Sequence, residues 1–278
     1  MHRLLRPLFF ALALLLPPET GHAAVEERTA MVAKALDGDT LALTDGRRVR
    51  LDAINALEIP RKPEEAGKCL PSTRRADGPE VVFGCDLTLA QAALALARDL
   101  TEGKAVRLVM NPARREDRYG RLLAQVIARG ADGREVDVGA ALVRAGLAHL
   151  YPLSGQEIGI AALLPLEHEA RAAGRGIWRL PELQVTEAAR AGTQYGHYAL
   201  ISGTVAKVTQ LKNRMVLNFG ADYRTDFSVI IDKRDWRRFR SLDLQGLAGR
   251  RVLVRGFLHE DYGPAMRIGN PWQMELLP

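Results

Sequence analysis

The sequence predicts a mainly β protein of the α+β class, built as two small five-stranded barrels in series. Three observations carry that prediction. Apolar residues alternate with polar ones over runs of about four to eight positions, as half-buried strands require, with glycine-containing turns between them. Three stretches with helical spacing fall in the first part of the chain. Beyond residue 192 the pattern is mostly β, with one short amphipathic stretch. The 278 residues could hold one large or two small domains, and a 47% hydrophobic content is enough for ordinary cores.

Residues 1–23 read as a secretory signal. Arg3 and Arg6 precede a short apolar run, Leu8 to Leu16, and Gly21-His22-Ala23 supplies small residues at a cleavage point. The run is too short to span a bilayer comfortably, and no later segment is apolar enough for a membrane helix. The expected mature chain is therefore exported, periplasmic or secreted, with no membrane span; a retained N-terminal anchor is the alternative. In an oxidising compartment Cys69 and Cys85 are expected to form a disulfide. Closing a loop of that size contributes roughly 3 kcal/mol in the chain-entropy picture, less any strain. A metal site from two lone cysteines is the weaker alternative.

The most informative stretch is Leu36 to Glu58, LDGDTLALTDGRRVRLDAINALE. Alternating apolar residues on both sides of Asp45-Gly46 predict a β-hairpin, because Asp-Gly suits a tight turn with positive φ. Asp37-Gly38-Asp39 crowds two carboxylates onto a turn before the hairpin, Arg50 lies in its second strand, and Asn55 and Glu58 follow. That mixture suits a hard cation and an anionic phosphate. Asp52, two residues from Arg50, is expected on the same strand face. Further on, the spacing predicts a helix over Thr88 to Leu100, strands over Lys104 to Met110 and Arg121 to Ala128, and a turn at Asp132-Gly133. Two more helices are expected, over Val138 to Arg144 and Pro165 to Ala173, the latter with its proline in the first turn.

These motifs resemble those of the staphylococcal nuclease (thermonuclease) family. The likeness rests on Asp37-Gly38-Asp39-Thr40, Arg50-Leu51, Glu58, Asp117-Arg118-Tyr119-Gly120-Arg121, the run VDVGAALVRAGL from Val136 to Leu147, and Gly176-Ile177-Trp178, in that order. It covers roughly half the chain and implies an oligonucleotide-binding (OB) fold, a five-stranded barrel with three helices, over residues 27–180. It also implies roles. Asp39 would ligate Ca²⁺, with Asn55 standing where a second acid is usual and Ala56 offering its carbonyl. Glu58 would be the general base. Arg50 and Arg121 would grip the scissile phosphate, and Arg118 and Tyr119 would flank the nucleotide. Two departures stand out: Asn55 is a neutral amide, which still offers an oxygen to calcium, and Leu57 replaces a proline. The implied partner is DNA or RNA, in single-stranded form. No protein partner is evident.

Residues 181–192 read as a linker. Strands are then expected over Tyr198 to Thr209, Arg214 to Phe219, Asp226 to Ile231, Arg251 to Leu258 and Ala265 to Leu276, with Lys233 to Ser241 between the third and fourth. That order again fits an OB-like barrel, over residues 193–278. The chain's net charge of +6 is concentrated here, since residues 190–278 hold 14 Lys/Arg and 8 Asp/Glu. Basic residues interleaved with Trp236 and Phe239 suit a single strand of nucleic acid. The same spacing equally describes a helix with its aromatics in a core. His149, His168 and His197 are scattered, and nothing resembles a phosphate-binding glycine loop or a serine nucleophile elbow. Three readings of function remain: a calcium-assisted nuclease, a nuclease-derived binding module, and an envelope interaction protein working through its C-terminal part.

Overall fold

The computed structural model describes residues 25–59, 86–152 and 158–278. The expected leader and both cysteines, Cys69 and Cys85, lie outside the described residues. Among the described residues no helix is long and apolar enough to cross a membrane.

The first half contains β1 (Glu26–Ala35), β2 (Thr40–Leu43), β3 (Arg48–Leu51), β4 (Ile54–Ala56), helix α1 (Leu87–Thr101), β5 (Ala105–Met110), β6 (Leu122–Arg129), β7 (Glu135–Asp137), α2 (Val138–Arg144), β8 (Ala148–Leu150) and α3 (Ile160–Ala172). The expected hairpin is β2–β3, with Gly46 at φ 85° in its turn. A bulge between Val32 and Lys34 bends β1, so it pairs with β2 at one end and β5 at the other. The parallel pairing of β3 with β6 then closes the sheet into a five-stranded barrel in the order β1-β2-β3-β6-β5. Its core is a set of inward aliphatic side chains such as Val32, Leu41, Val49, Leu108 and Val126. Helix α1 buries the stripe Ala90, Ala93, Ala97 and Thr101, which repeats at the three-to-four spacing of one helix face. Asp86 caps its start by accepting from the Leu89 N–H at 3.2 Å.

The third helix begins five residues before the expected Pro165, directly after Gly159 at φ 73°. Its buried stripe runs Ile160, Leu163, Leu164, Glu167, Ala170, so the proline sits inside the helix. Asp52, expected on Arg50's strand face, lies just past the end of the strand. β3 ends at Leu51, and Asp52-Ala53 form a turn with Ala53 at φ 64°. Burial pushes the Asp52 carboxyl up, against the pull of Arg114, of the Ala53 and Ile158 backbone N–H groups and of Arg50.

The second half contains β9 (Thr186–Glu187), β10 (Tyr198–Thr204), β11 (Lys207–Gln210), β12 (Arg214–Asn218), β13 (Ser228–Asp232), β14 (Arg251–Asp261), β15 (Gly263–Arg267) and β16 (Met274–Leu276). The expected strand Tyr198 to Thr209 breaks at Val205-Ala206. Its first piece pairs with β14 and its second with β12, so one bent strand reaches both edges of the sheet. With β13 parallel to β15 and β15 antiparallel to β14, the order matches that of the first barrel. Both halves are OB-like barrels. The stretch read as a linker is itself structured: β9 pairs with β10, and Ala191 is buried in the second core. The basic stretch is a 3₁₀ turn over Lys233–Phe239. Phe239 is buried, Trp236 packs against the core and donates its indole N–H to the Ile231 carbonyl at 3.2 Å, and Lys233, Arg234, Arg237 and Arg240 are exposed. The aromatics there belong to the core.

The two barrels share a buried junction. Leu57, Ile177 and Trp178 of the first half lie in one apolar cluster with Tyr198, Leu200 and Leu253 of the second. At its edge Arg255 donates to Glu167 at 2.6 Å, and both side chains are removed from solvent, at 1% and 0% exposure. Arg255 also pairs with Glu275, which lies 2.6 Å from His168 Nε2. Burial alone would raise the Glu275 carboxyl, but the His168 hydrogen bond and Arg255 outweigh it and hold the group at about 2. His149 is fully buried against Tyr198, with ring centroids 4.7 Å apart, and burial lowers its pKa to about 4.

Breaking a buried pair leaves one charge uncompensated, at a cost of about 3–5 kcal/mol. Arg255→Met should show that loss in urea unfolding, and adding Glu167→Gln should recover most of it. His149 stays neutral in the fold while the unfolded chain binds a proton near its ordinary 6.5, so its contribution is complete above 6.5 and is lost as pH falls toward 4. The thermal midpoint should drop across that window, and His149→Phe should flatten the drop.

Candidate active site

The site forms where the turn before β2, the end of β3 and β4 meet. Asp37, Gly38 and Asp39 turn the chain into β2, closed by a Leu36 N–H to Thr40 carbonyl bond of 2.8 Å. Gly38 is required there by space, because a Cβ would lie 2.6 Å from Ala93 Cβ on α1 and 2.8 Å from Ala56 Cβ on β4. Glycine thus lets the acidic turn sit against both elements.

Asp39 is buried and fully engaged. Its Oδ2 accepts from the Ala56 N–H at 2.8 Å and pairs with Arg50 Nη2 at 3.0 Å, while its Oδ1 accepts from the Thr40 hydroxyl at 3.1 Å. Arg50, also buried, donates to the Leu51 carbonyl at 2.7 Å and to Asn55 Oδ1 at 2.8 Å. Asn55 Nδ2 donates to the Ala56 carbonyl at 3.1 Å. Arg121 arrives from the other side of the barrel closure. It precedes β6, which pairs in parallel with β3, and its Nη1 donates to Thr40 Oγ1 at 3.4 Å. Asp117 fixes it there, accepting from Arg121 Nε at 2.7 Å and from the backbone N–H groups of Tyr119 and Arg121 at 2.8 and 3.0 Å.

The fold therefore brings Asp39, Arg50, Asn55 and Ala56 into one hydrogen-bonded group and links Arg121 to it through Thr40. Arg118 and Tyr119 form the rim beside Arg121. Arg118 donates to the Tyr119 hydroxyl at 2.7 Å, and the two guanidinium carbons lie 4.8 and 5.5 Å from the exposed ring. Glu58 is exposed and joins Asp37 and Asp39. A carboxylate oxygen from each of the three lies within 4.8 Å of the others. Burial, then the charges of Asp39 and Glu58, push the Asp37 carboxyl up to about 7.

Three crowded carboxylates offer only hard oxygen donors, at a separation two ligands of one Ca²⁺ can span, given Ca–O distances of about 2.3–2.6 Å. The donor set fits a calcium ion held by Asp37 and Asp39, with the exposed Glu58 beside it. The expected ligand Asn55 instead turns its amide oxygen to Arg50. Asp37 and Thr40 were not singled out from the sequence for roles of their own, although both stand within the Asp37 to Thr40 motif.

The family description Staphylococcal nuclease homologue matches residues 48–180. An uncharacterized endonuclease of Escherichia coli O157:H7 and another of Escherichia coli are each 31% identical over 149 residues, spanning 53% of this chain and 74% of the relative. The chain belongs to the staphylococcal nuclease homologues. The family match begins at β3, so Arg50, Asn55, Glu58 and Arg121 lie inside it, whereas Asp37 and Asp39 come just before. In this member of the family, Leu57 is buried at the junction with the second barrel.

Gly38→Ala should cost about 1–3 kcal/mol of unfolding free energy through overpacking against Ala93 and Ala56. Combining it with Ala93→Gly, which opens space on one side, should return part of that loss in the same denaturation measurement.

Proposed function

We propose that the protein is an exported, calcium-dependent nuclease that hydrolyses phosphodiester bonds of DNA and RNA with little sequence preference. The observation that carries this is the convergence of Arg50 and Arg121, from opposite sides of the barrel closure, on Asp39 and Thr40 beside the exposed Glu58. Family membership and the endonuclease names of the relatives support the same reaction class.

Phosphodiester hydrolysis needs an activated water and fixed positive charge where negative charge builds on phosphorus. Glu58 is the exposed carboxylate of the cluster and takes the water's proton as general base. Arg121 is anchored through Nε by Asp117, which aims its terminal nitrogens at the site. Arg50 can leave Asp39 for a phosphate oxygen once another cation takes its place on that carboxylate. Guanidinium groups suit this work because they stay charged and donate two parallel hydrogen bonds. Calcium on Asp37 and Asp39 would supply charge to the same phosphate. Tyr119, exposed and flanked by Arg118 and Arg121, offers a face on which an unpaired base can stack, which favours single strands. These groups grip phosphate and read no base edge, hence the low sequence preference. The leader pattern of residues 1–23 supports export.

A second reading, a nucleic-acid-binding module without cleavage, draws on Asn55. Its amide leaves the site one negative charge short, and Arg50 is already satisfied by Asp39, Leu51 and Asn55. Incubating the mature protein with single-stranded DNA, in calcium or in chelator, separates the two. Cleavage in calcium alone, lowered about 10²–10³-fold in Arg121→Ala and Glu58→Gln, is the expected result. Retention of the strand without cleavage would establish the binding module instead.

A further inference from the structure

The residues on either side of Glu58 point away from the first barrel's own core. Leu57 is buried, and Ile59 is packed, in the apolar cluster to which the second barrel contributes Tyr198, Leu200 and Leu253. The acid thus stands exposed between two neighbours that belong to the cluster shared by both halves of the molecule.

The strand that carries Asn55 and Ala56 is held from the same direction. In the β4–β8 ribbon, the Tyr151 N–H reaches the Ala53 carbonyl at 2.7 Å, and Ile54 lies opposite Leu150. Bonded and non-bonded pairs alternate in an antiparallel ladder, so the Leu150 N–H and C=O face outward. Leu150 is buried and these groups need partners. Glu167 accepts from the N–H at 2.7 Å, and the carbonyl, which His149 Nδ1 also approaches at 2.9 Å, accepts from the Tyr198 hydroxyl at 2.9 Å. Glu167 is in turn neutralised by Arg255 at 2.6 Å. The second barrel therefore reaches the outer edge of β8 twice, directly through Tyr198 and indirectly through Arg255, which holds Glu167. Through the ladder these contacts fix β4, whose Ala56 N–H holds Asp39 and whose Asn55 holds Arg50.

We propose that the second barrel is a positioning element of the active site in the first, with Tyr198 and Arg255 as positioning residues. This rests on the nuclease reading of that site. The barrel acts on the turnover step, by holding Glu58 and β4 in register, rather than on the capture of substrate.

The test uses the full mature chain at saturating calcium and a single-stranded oligonucleotide. Tyr198→Phe keeps the ring and removes only the hydroxyl. Its kcat should fall by about tenfold, as for a small misplacement of reacting groups, at temperatures well below its unfolding midpoint. KM should stay within about twofold, since ground-state contacts are untouched. Amide exchange at Asn55 and Ala56 should quicken. Arg255→Met should lower kcat too, and Glu167→Gln in the same chain should restore it, because the neutral amide needs no counter-charge and still accepts from Leu150. Wild-type kcat in Tyr198→Phe, or a rise in KM alone, would overturn the proposal while leaving the nuclease reading intact. If the wild-type chain cleaves nothing, the nuclease reading and the catalytic claim fail together, and the exchange rates then decide separately whether the second barrel holds β4.

Discussion

A carboxylate with no access to water is the constraint around which the two barrels are joined. Glu167 lies on the buried stripe of α3, where the spacing calls for an apolar residue. It is there because the outer edge of β8 presents a buried N–H with no strand beside it among the described residues, and one oxygen of Glu167 meets that need. Its other oxygen meets Arg255. An ionised group in such surroundings is costly unless paired and hydrogen-bonded. The barrel bearing the acid and arginine site thus buries a charge whose arginine partner belongs to the other barrel.

Two unrelated stretches of sequence arrive at one strand order. Each barrel closes with a bent first strand that touches both neighbours and a parallel pairing of the third strand with the fifth. The interval between third and fourth strands holds α1 in one barrel and the 3₁₀ turn with buried Phe239 in the other. The shared closure serves different ends. In the first barrel it sets Arg121 beside Thr40, joining residues 81 apart in sequence. In the second barrel Trp236 and Phe239 pack inward where a binding strip was one expectation, and the exposed arginines remain a solvated face.

Local signals were legible in the amino-acid order. The β2–β3 hairpin follows from Asp45-Gly46 between alternating runs, and α1 and α2 follow from apolar spacing, to which the structure adds Asp86 and Asp137 as caps. The crowding of Asp37 and Asp39 was visible as well, since both stand in one tight turn. What depended on distant partners was not. Nothing near Asn55 indicates that its oxygen faces Arg50, and nothing near Glu167 announces Arg255. The start of α3 was placed too late because Pro165 resembles a first-turn residue, while Gly159, further back, sets the true start. Tyr198 looked like one more strand residue, and its hydroxyl gains meaning only against the Leu150 carbonyl.

The separation of Glu167 and Arg255 by 88 positions has a consequence for a chain made from its N-terminus. At about 5–20 residues per second, the ribosome delivers the arginine roughly 4–18 s after the acid. During that interval the acid lacks the partner it has in the folded chain, and water hydrates it instead. The junction between the two halves therefore closes last, when the arginine of the second meets the acid of the first.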